Sequence, residues 1–399
     1  MEEILTKGKH DIENQLLIEC SQSLKDPGKL IHISKHLDQS LNWSYVLAVA
    51  NKNAVLPLVG NNLLEHFADR LPGNVRGILI EYLRVHVQRN LFLTGKLLEI
   101  VRSFDRQNIS ILPFKGPVLA VRAYGSISAR SFVDLDILVQ PEHLEAAIEL
   151  LRDEGYTPIT GVRATLHRKK DIYFRSADGL VNVELHWKLS GSHFALPFEM
   201  NGLWARLENI DLANVKLKAL PFDDLLIYLC LHGSRHGWER FGWICDVNEL
   251  TMSVGEVDWD EIIRKARQLG CENVLCLGLY LVHDFFGRQF KFRGWHKVRS
   301  DLMFMTTAKR IREQLFTEQH TVMGIGDRYA YHLRLKEDRL DKWKLHYHYL
   351  FRYLRIIFTP KAGDTEAFNF PRSLEPLYYL LRPFRLFYNY ALKSNRNRI

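Results

Sequence analysis

A single block of alternating strand and helix patterns interrupts a chain that is otherwise patterned for helices. Between residues 107 and 221, short apolar runs such as ISILP and DLDILV alternate with helical stretches such as PEHLEAAIELLRDE. On both sides of this block, apolar residues recur at three- and four-residue steps, which is typical of amphipathic helices. We therefore predict an α+β fold, with one sheet-bearing segment between a helical N-terminal region, residues 1–106, and a helical C-terminal region, residues 222–330.

The remaining segment, residues 331–399, is basic and aromatic. It has 14 lysines and arginines against 6 acidic residues, a surplus equal to the net charge of +8 for the whole chain of 399 residues. Interleaved basic and aromatic residues can bind single-stranded nucleic acid, and the same spacing is typical of an amphipathic helix that packs on a protein body. We favour packing on the body, which leaves nucleic acid as a partner that is possible but not favoured.

Composition narrows the class of protein further. The N-terminus, MEEILTKGKHDIENQ, is polar and does not resemble a signal peptide, and no run of 18 apolar residues predicts a transmembrane helix. The five cysteines form no CxxC pair and have no zinc-site spacing, which fits a reducing compartment. We expect a cytoplasmic protein without a transmembrane segment.

Two aspartates stand at the beginning of the apolar run DLDILV. Residues two apart on a strand share a face, so Asp134 and Asp136 are expected to project together, while Leu135, Ile137 and Val139 point into a core. Adjacent carboxylates on an apolar strand repel each other and are costly to desolvate. A divalent cation removes this cost, and oxygen ligands at this spacing suit Mg²⁺.

A third carboxylate is available in the segment VNVELHW, which places Asn182, Glu184 and His186 on one strand face. If this strand lies beside DLDILV, Glu184 joins Asp134 and Asp136. Three carboxylates can hold two metal ions about 3.5–4 Å apart, the arrangement that serves phosphoryl transfer. We therefore predict a site for Mg²⁺, with two ions, formed by these three residues.

Candidates for phosphate binding surround the same strand. Lys115 and Gly116 stand where a predicted strand turns into a helix, and a helix N-terminus favours an anion while glycine allows close backbone approach. Arg130 and its neighbour Ser131 precede the two aspartates in a loop. We predict that these four residues contact a nucleotide. The alternative for Arg130 is that it only pairs with an aspartate.

Two histidines lie four residues apart on the predicted helix LLIYLCLHGSRHGW. His232 and His236 therefore share a face, as in half of a zinc site, but no HExxH glutamate and no obvious third ligand accompany them. We predict that they line a nucleotide or acceptor cleft, with Asp246 as the group that orients one of them. The alternative is packing between helices.

The motifs PFKG, YGSISARSFVDLDILV, LLRDEGY, VELHW and HGSRHGWERFGWICDV together resemble a known family. The Asp-x-Asp strand, the glycine turn before it and the acidic residue after it are similar to the nucleotidyltransferase superfamily related to DNA polymerase beta. More narrowly, the motifs resemble the bacterial uncharacterised nucleotidyltransferase family, over most of the chain.

The resemblance implies a small mixed sheet of the nucleotidyltransferase type and a Mg²⁺-dependent transfer. The enzyme would move a nucleoside monophosphate from an NTP such as ATP to an acceptor hydroxyl or phosphate, and release pyrophosphate. It implies that Asp134, Asp136 and Glu184 are catalytic metal ligands, and that Lys115, Gly116 and Arg130 hold the triphosphate. The acceptor would be a small molecule, a peptide or a glycan precursor in a peptide or polysaccharide biosynthetic pathway.

One departure from the superfamily pattern keeps other functions open. The glycine turn reads Lys115-Gly116-Pro117, without the serine that often contacts a phosphate. A catalytically inactive nucleotide- or RNA-binding module on the same fold is therefore an alternative. A small-molecule modifier similar to the aminoglycoside nucleotidyltransferases fits the Asp-x-Asp strand equally well.

Overall fold

The computed structural model describes residues 10–24, 26–159, 170–189, 200–317, 323–360, 364 and 377–396. Residues 1–9, on which the expectation about a signal peptide rests, lie outside the described residues. The chain divides into two compact units, residues 1–335 and residues 336–399. The boundary between the units lies directly after the helix Ile325–Leu335, which contains residue 331, the first residue of the basic and aromatic segment.

Helices form the part of the first unit that precedes the sheet. Their bounds are α1 Asp11–Cys20, α2 Pro27–Leu37, α3 Trp43–Lys52, α4 Leu56–Phe67 and α5 Gly73–Arg106. Side-chain caps begin two of them, because Asp26 accepts a hydrogen bond from the Gly28 N–H and Asn42 accepts one from the Tyr45 N–H. The buried faces of these helices follow the three- and four-residue spacing of their apolar residues.

The next segment contains the sheet. Its elements are β1 Ile111–Pro113, α6 Gly116–Tyr124, β2 Leu135–Val139, α7 Leu144–Asp153, β3 Tyr156–Pro158, β4 Asp171–Ser176, β5 Asn182–His186, α8 Met200–Ala205, β6 Glu208–Leu212 and β7 Val215–Ala219. The strand order is β1-β2-β5-β4-β3, in which only β2 and β5 are parallel. Strands β6 and β7 form a separate hairpin. The mixed sheet between helical regions confirms the predicted α+β fold class.

Helices form the rest of the described chain. In the first unit they are α9 Phe222–Arg235, α10 Phe241–Met252, α11 Trp259–Gln268, α12 Glu272–Phe286, α13 Trp295–Ser300, α14 Leu302–Leu315 and α15 Ile325–Leu335. In the second unit they are α16 Arg339–Phe358 and α17 Leu377–Arg396, which contact each other. None of the helices in the described ranges combines the length and the apolar character needed to cross a membrane.

Two apolar cores lie on the two faces of the sheet. Alternate residues of β2 separate, because Leu135, Ile137 and Val139 join one core with α5 and α7, while Leu138 joins the other. This second core is shared by the helices before the sheet and the helices after it. The sheet face that carries Asp136 is therefore covered by helices, and burial of its polar groups follows from this arrangement.

A tight turn ends α9 and sets the position of the histidines that precede it. Trp238 has a φ of +53° and is 1% exposed, and its N–H donates to the carbonyl of Gly233 at 2.8 Å. A Cβ at Gly233 would lie 2.4 Å from the Trp238 ring. Only glycine allows the indole to pack this closely on the last turn of the helix.

We expect Gly233→Ala to destabilise the protein by about 1–3 kcal/mol, because the buried indole cannot move away from an added methyl group. Gly95→Ala is the matched control, since Gly95 lies exposed in α5 with open space around it. That change should stabilise the protein by about 0.5–1 kcal/mol through helix propensity. Denaturant unfolding of both variants checks the pair, and equal effects would contradict the packing argument.

Candidate functional site

Two carboxylates lie side by side on neighbouring strands in the middle of the sheet. In the parallel register of β2 and β5, Asp136 is directly paired with Glu184. Both side chains are buried, with exposed fractions of 4% for Asp136 and 7% for Glu184. The condition that β5 lies beside the Asp-x-Asp strand is thereby met. Asp134 stands one residue before β2, is half-buried, and lines the same cavity as the other two.

The turn between β1 and α6 approaches this pair closely. Gly116 has a φ of +54°, and a Cβ there would lie 3.4 Å from the carbonyl oxygen of Asp134. The preceding residue, Lys115, places its Nζ 3.1 Å from Asp136 Oδ1. The same ammonium lies 5.4 Å from the centre of the Tyr228 ring. The turn thus brings a positive charge, rather than a hydroxyl, to the carboxylates.

A second set of charges lies on β4 and β5. Asp171 is the cross-strand partner of His186, and Lys170 Nζ lies 2.6 Å from Asp171 Oδ2. His186 Nε2 is 3.2 Å from Asp136 Oδ1 and 3.4 Å from Glu184 Oε1. Candidate ligand atoms of Asp136, Glu184 and His186 all lie within 4.8 Å of one another. These donors fit a divalent cation, since two buried carboxylates converge on one point.

The carboxyl groups of Asp134, Asp136 and Glu184 lie close together, and their like charges repel each other. Burial raises the pKa of Glu184 to about 8, and the Asp136 charge acts in the same direction. Burial and the Asp136 charge also raise the pKa of Asp134. Burial opposes ionisation of Asp136 as well, but the Lys115 ammonium and a hydrogen bond from His186 hold its pKa well below the usual range. Asp136 is therefore the carboxylate that stays charged.

Helices α9 and α10 provide the opposite wall. The ring centres of His232 and His236 lie 4.8 Å apart, and those of His232 and Trp243 lie 5.1 Å apart. Burial and the charges of Arg235 and Lys115 lower the pKa of His236 to about 3. Burial and the Lys115 charge also lower the pKa of His232. Both imidazoles are neutral near pH 7, so the wall offers polar rings beside several cations.

Asp246 has other partners than the sequence predicted. Arg130 donates to it from Nε at 2.8 Å and from Nη2 at 2.9 Å, and the Tyr124 hydroxyl donates at 2.8 Å. Within the described hydrogen bonds, Asp246 accepts from Arg130 and Tyr124 and from neither His232 nor His236, so its role as the group that orients a histidine stays a prediction. The bidentate pair matches the alternative for Arg130, pairing with an aspartate, although Arg130 also lines the cavity.

Apart from Asp171 and His186, these groups border one cavity of about 820 Å³ between the sheet, α5, α9 and α10. The sequence-predicted residues that line it are Lys115, Gly116, Arg130, Ser131, Asp134, Asp136, Glu184, His232 and His236. The structure thus brings together all nine. Their individual roles stay predictions.

Three polar residues near the carboxylates had no predicted role. His186 shares a strand face with Glu184, and strand alternation already indicated this placement. Lys170 and Tyr228 carry no such signal, because each reaches the site through a tertiary contact. Lys170 Nζ lies 3.8 Å from Glu184 Oε1.

Comparison with known proteins gives a family match. The model of a family described as "Uncharacterised nucleotidyltransferase" matches residues 39–287, more than half of the chain. A solved structure titled "antigenic nucleotidyltransferase-like protein", from Paracoccidioides brasiliensis, is similar at 12% sequence identity and a TM-score of 0.29. The similarity covers 47% of this chain and 91% of the other. No curated protein matches the sequence.

The raised pKa of Glu184 predicts a pH-dependent effect of Glu184→Gln on the metal-free protein. The pKa is about 8 in the fold and 4.5 as the ordinary value, so the folded state keeps a proton that the unfolded chain releases. Stability is therefore lost as the pH rises through this window, and glutamine removes the loss. We expect the variant to melt several degrees above wild type at about pH 8.5, with a smaller difference at about pH 5.

Thermal unfolding in the presence of a chelator measures this effect. Glu145→Gln is the control, because Glu145 is an exposed glutamate on α7 and the change removes the same charge from the surface. A melting difference for Glu184→Gln that is equal at the two pH values would contradict the electrostatic account of this site.

Proposed function

Because this chain belongs to the uncharacterised nucleotidyltransferase family, we propose that it is an active Mg²⁺-dependent nucleotidyltransferase. It transfers a nucleoside monophosphate from an NTP to the hydroxyl or phosphate of an acceptor. The acceptor oxygen forms a bond to the α-phosphorus, the bond from this phosphorus to the bridging oxygen breaks, and pyrophosphate leaves. The observation that carries the proposal is the direct pairing of Asp136 with Glu184 at the wall of a cation-lined cavity.

Asp134, Asp136 and Glu184 are the residues that would hold the metal. When bound, Mg²⁺ supplies a positive charge that stabilises the charge on the phosphate oxygens. The convergence of two buried carboxylates supports this assignment, since their repulsion is relieved by a cation. Glu184 also has the position to accept the proton of an acceptor hydroxyl at the cavity wall.

The triphosphate is assigned to the positive side of the cavity. Lys115 and Gly116 form the turn nearest to the carboxylates, and Arg130 and Ser131 continue the same wall. Arg235 lines the cavity beside the neutral imidazoles of His232 and His236, and its positive charge favours an anion there. The transfer then depends mostly on positioning and charge compensation.

The acceptor is assigned by chemistry alone. The cavity is large enough for a nucleotide together with part of a second molecule, and its polar lining suits a sugar, a small metabolite or a peptide side chain. A peptide or polysaccharide biosynthetic pathway is consistent with the family resemblance.

A catalytically inactive nucleotide-binding module is the second candidate. The contact between Lys115 and Asp136 supports it, because an ammonium at 3.1 Å already neutralises the carboxylate without a metal ion. The turn also has Pro117 where a phosphate-binding serine is common in the superfamily. Release of pyrophosphate from NTPs in the presence of Mg²⁺ separates the two candidates.

Asp136→Asn should abolish Mg²⁺-dependent transfer and leave the fold intact. Loss of a metal ligand costs several kcal/mol of transition-state stabilisation, so the rate should fall by more than about a thousandfold. Pyrophosphate release from labelled NTPs, with metabolite and peptide pools as acceptors, measures the rate. Asp178→Asn is the control, since Asp178 is exposed in the turn between β4 and β5 and hydrogen-bonds only locally in the described structure. Near-normal turnover of folded Asp136→Asn would contradict the proposed function.

His236→Ala should weaken transfer by about tenfold, as expected for one lost hydrogen bond to a charged group, while the melting temperature changes little. Metal analysis of the purified protein should detect no stoichiometric zinc, because no group of three possible ligands in the described part of the chain includes this pair. His283→Ala is the control for deletion of a half-buried imidazole outside the cavity. If His236→Ala melts several degrees lower while its folded fraction works normally, the histidines serve packing instead.

A further inference from the structure

A continuous chain of hydrogen bonds connects a lysine on the far side of β5 to the central aspartate. Lys170 Nζ lies 2.6 Å from Asp171 Oδ2 and 3.2 Å from His186 Nδ1. At the other end of the imidazole, Nε2 lies 3.2 Å from Asp136 Oδ1. All four residues are buried, with exposed fractions of 7% or less. In this setting each hydrogen-bond donor needs an acceptor.

The backbone holds this chain in place. Asp171 and His186 are cross-strand partners in the antiparallel register of β4 and β5. One step beyond, the Trp187 N–H donates to the Lys170 carbonyl at 3.0 Å. The Phe114 ring packs edge-on against the imidazole, with ring centres 5.1 Å apart.

The partners decide which nitrogen of His186 carries the proton. Burial lowers the pKa of Lys170, and the Asp171 carboxylate at 2.6 Å opposes this by favouring the ammonium form. A lysine ammonium has donors and no acceptor. Nδ1 must therefore accept a hydrogen bond, which leaves the proton on Nε2. Nε2 lies 3.2 Å from Asp136 Oδ1, and because the Asp136 carboxylate stays ionised it can only accept a hydrogen bond. Both ends of the ring require the same tautomer.

This tautomer bears on the metal site. A histidine that ligates a metal presents a lone pair to the ion and donates its other N–H to a carboxylate or a carbonyl. His186 has the reverse arrangement, because its N–H points towards the carboxylates and its lone pair towards Lys170. Closeness of Nε2 to the two carboxylates therefore does not make it a ligand.

We propose that Lys170 fixes His186 as an N–H donor, so that both are positioning residues that orient Asp136, and the metal site has only oxygen ligands. The proposal rests on the proposed function for the presence of a metal ion. The oxygen ligands would be those of the proposed function, Asp134, Asp136 and Glu184, which all line the cavity. A site of this composition suits Mg²⁺ and Mn²⁺ and disfavours Zn²⁺, which prefers imidazole.

The tautomer can be measured directly in the full-length protein. Long-range ¹H–¹⁵N correlation of protein with ¹⁵N-labelled histidine, in a chelator, distinguishes protonated from unprotonated ring nitrogens. Loss of one set of signals in His186→Gln assigns the residue. We expect a proton on Nε2 and none on Nδ1. A proton on Nδ1, or on both nitrogens near pH 7, would overturn the proposal.

Mn²⁺ is the probe for ligation. Electron spin-echo spectroscopy of the Mn²⁺-loaded protein detects a directly bound nitrogen, and we expect none from His186. A nitrogen coupling that is present in wild type and absent in His186→Gln would refute the assignment. Binding is followed separately by the signal of free Mn²⁺ in a titration.

The matched variants separate donor from ligand. His186→Ala should weaken Mn²⁺ binding by about 10–100-fold, as for other residues that orient metal ligands. His186→Gln places an amide N–H near the position of Nε2 and should restore most of the affinity. Equal losses in the two variants would mean that the ring nitrogen itself binds the ion. Circular dichroism and melting curves ensure that folded protein is compared.

Lys170 gives an independent test. Lys170→Met removes the donor at Nδ1 and frees the imidazole to present a lone pair to the carboxylates, so binding of Zn²⁺ should strengthen relative to Mg²⁺. Lys170→Arg retains a donor and should keep the wild-type preference. An unchanged Zn²⁺ preference in folded Lys170→Met would contradict the role of Lys170. If the wild type binds no divalent cation, the proposed function and the oxygen-ligand site both fail, while the tautomer result still decides the role of Lys170.

Discussion

The register of two parallel strands holds the carboxylates of Asp136 and Glu184 side by side in a buried position. Positive charges from the surrounding structure reduce the repulsion between them. Like charges at this depth cannot both ionise without a positive charge nearby. Lys115 supplies one from the turn before α6, and Lys170 supplies another from the edge of β4. The raised pKa of Glu184 indicates that these two ammonium groups compensate the acidic cluster only in part. A divalent cation therefore has an electrostatic reason to bind here.

The helices make this arrangement possible. A sheet whose edge strands, β1 and β3, have three residues each cannot bury its own polar face, so helices from both sides of the sheet segment share one core over it. An ion pair connects a helix of this core to the loop that precedes the strand of Asp136. Arg130, in the loop before β2, and Asp246, on α10, form a bidentate pair across 116 residues of sequence. Since Asp246 is 3% exposed, loss of Arg130 would leave a buried charge without its partner.

The sequence was sufficient to predict which side chains share a face of the same strand or helix. Strand alternation grouped Asp134 with Asp136 and Glu184 with His186, and helical spacing grouped His232 with His236. It did not predict the partner of Asp246 or a role for Lys170, because periodicity gives the face of a residue and not its neighbour in space. Short strands such as β3 and β6 were also missed, since three to five residues carry too little pattern.

At the turn Lys115-Gly116-Pro117, too, the sequence shows the residue types and the structure adds their neighbours in space. From sequence it is a departure, because a serine that often contacts phosphate is missing. In the structure the backbone of Gly116 closely approaches that of Asp134, and the Lys115 ammonium contacts Asp136. In the proposed function, Lys115 would have two kinds of partner, the Asp136 carboxylate and a phosphate of the nucleotide. Neutralisation of Asp136 by a metal ion would release Lys115 for the phosphate, so that this one side chain would couple metal binding to nucleotide binding.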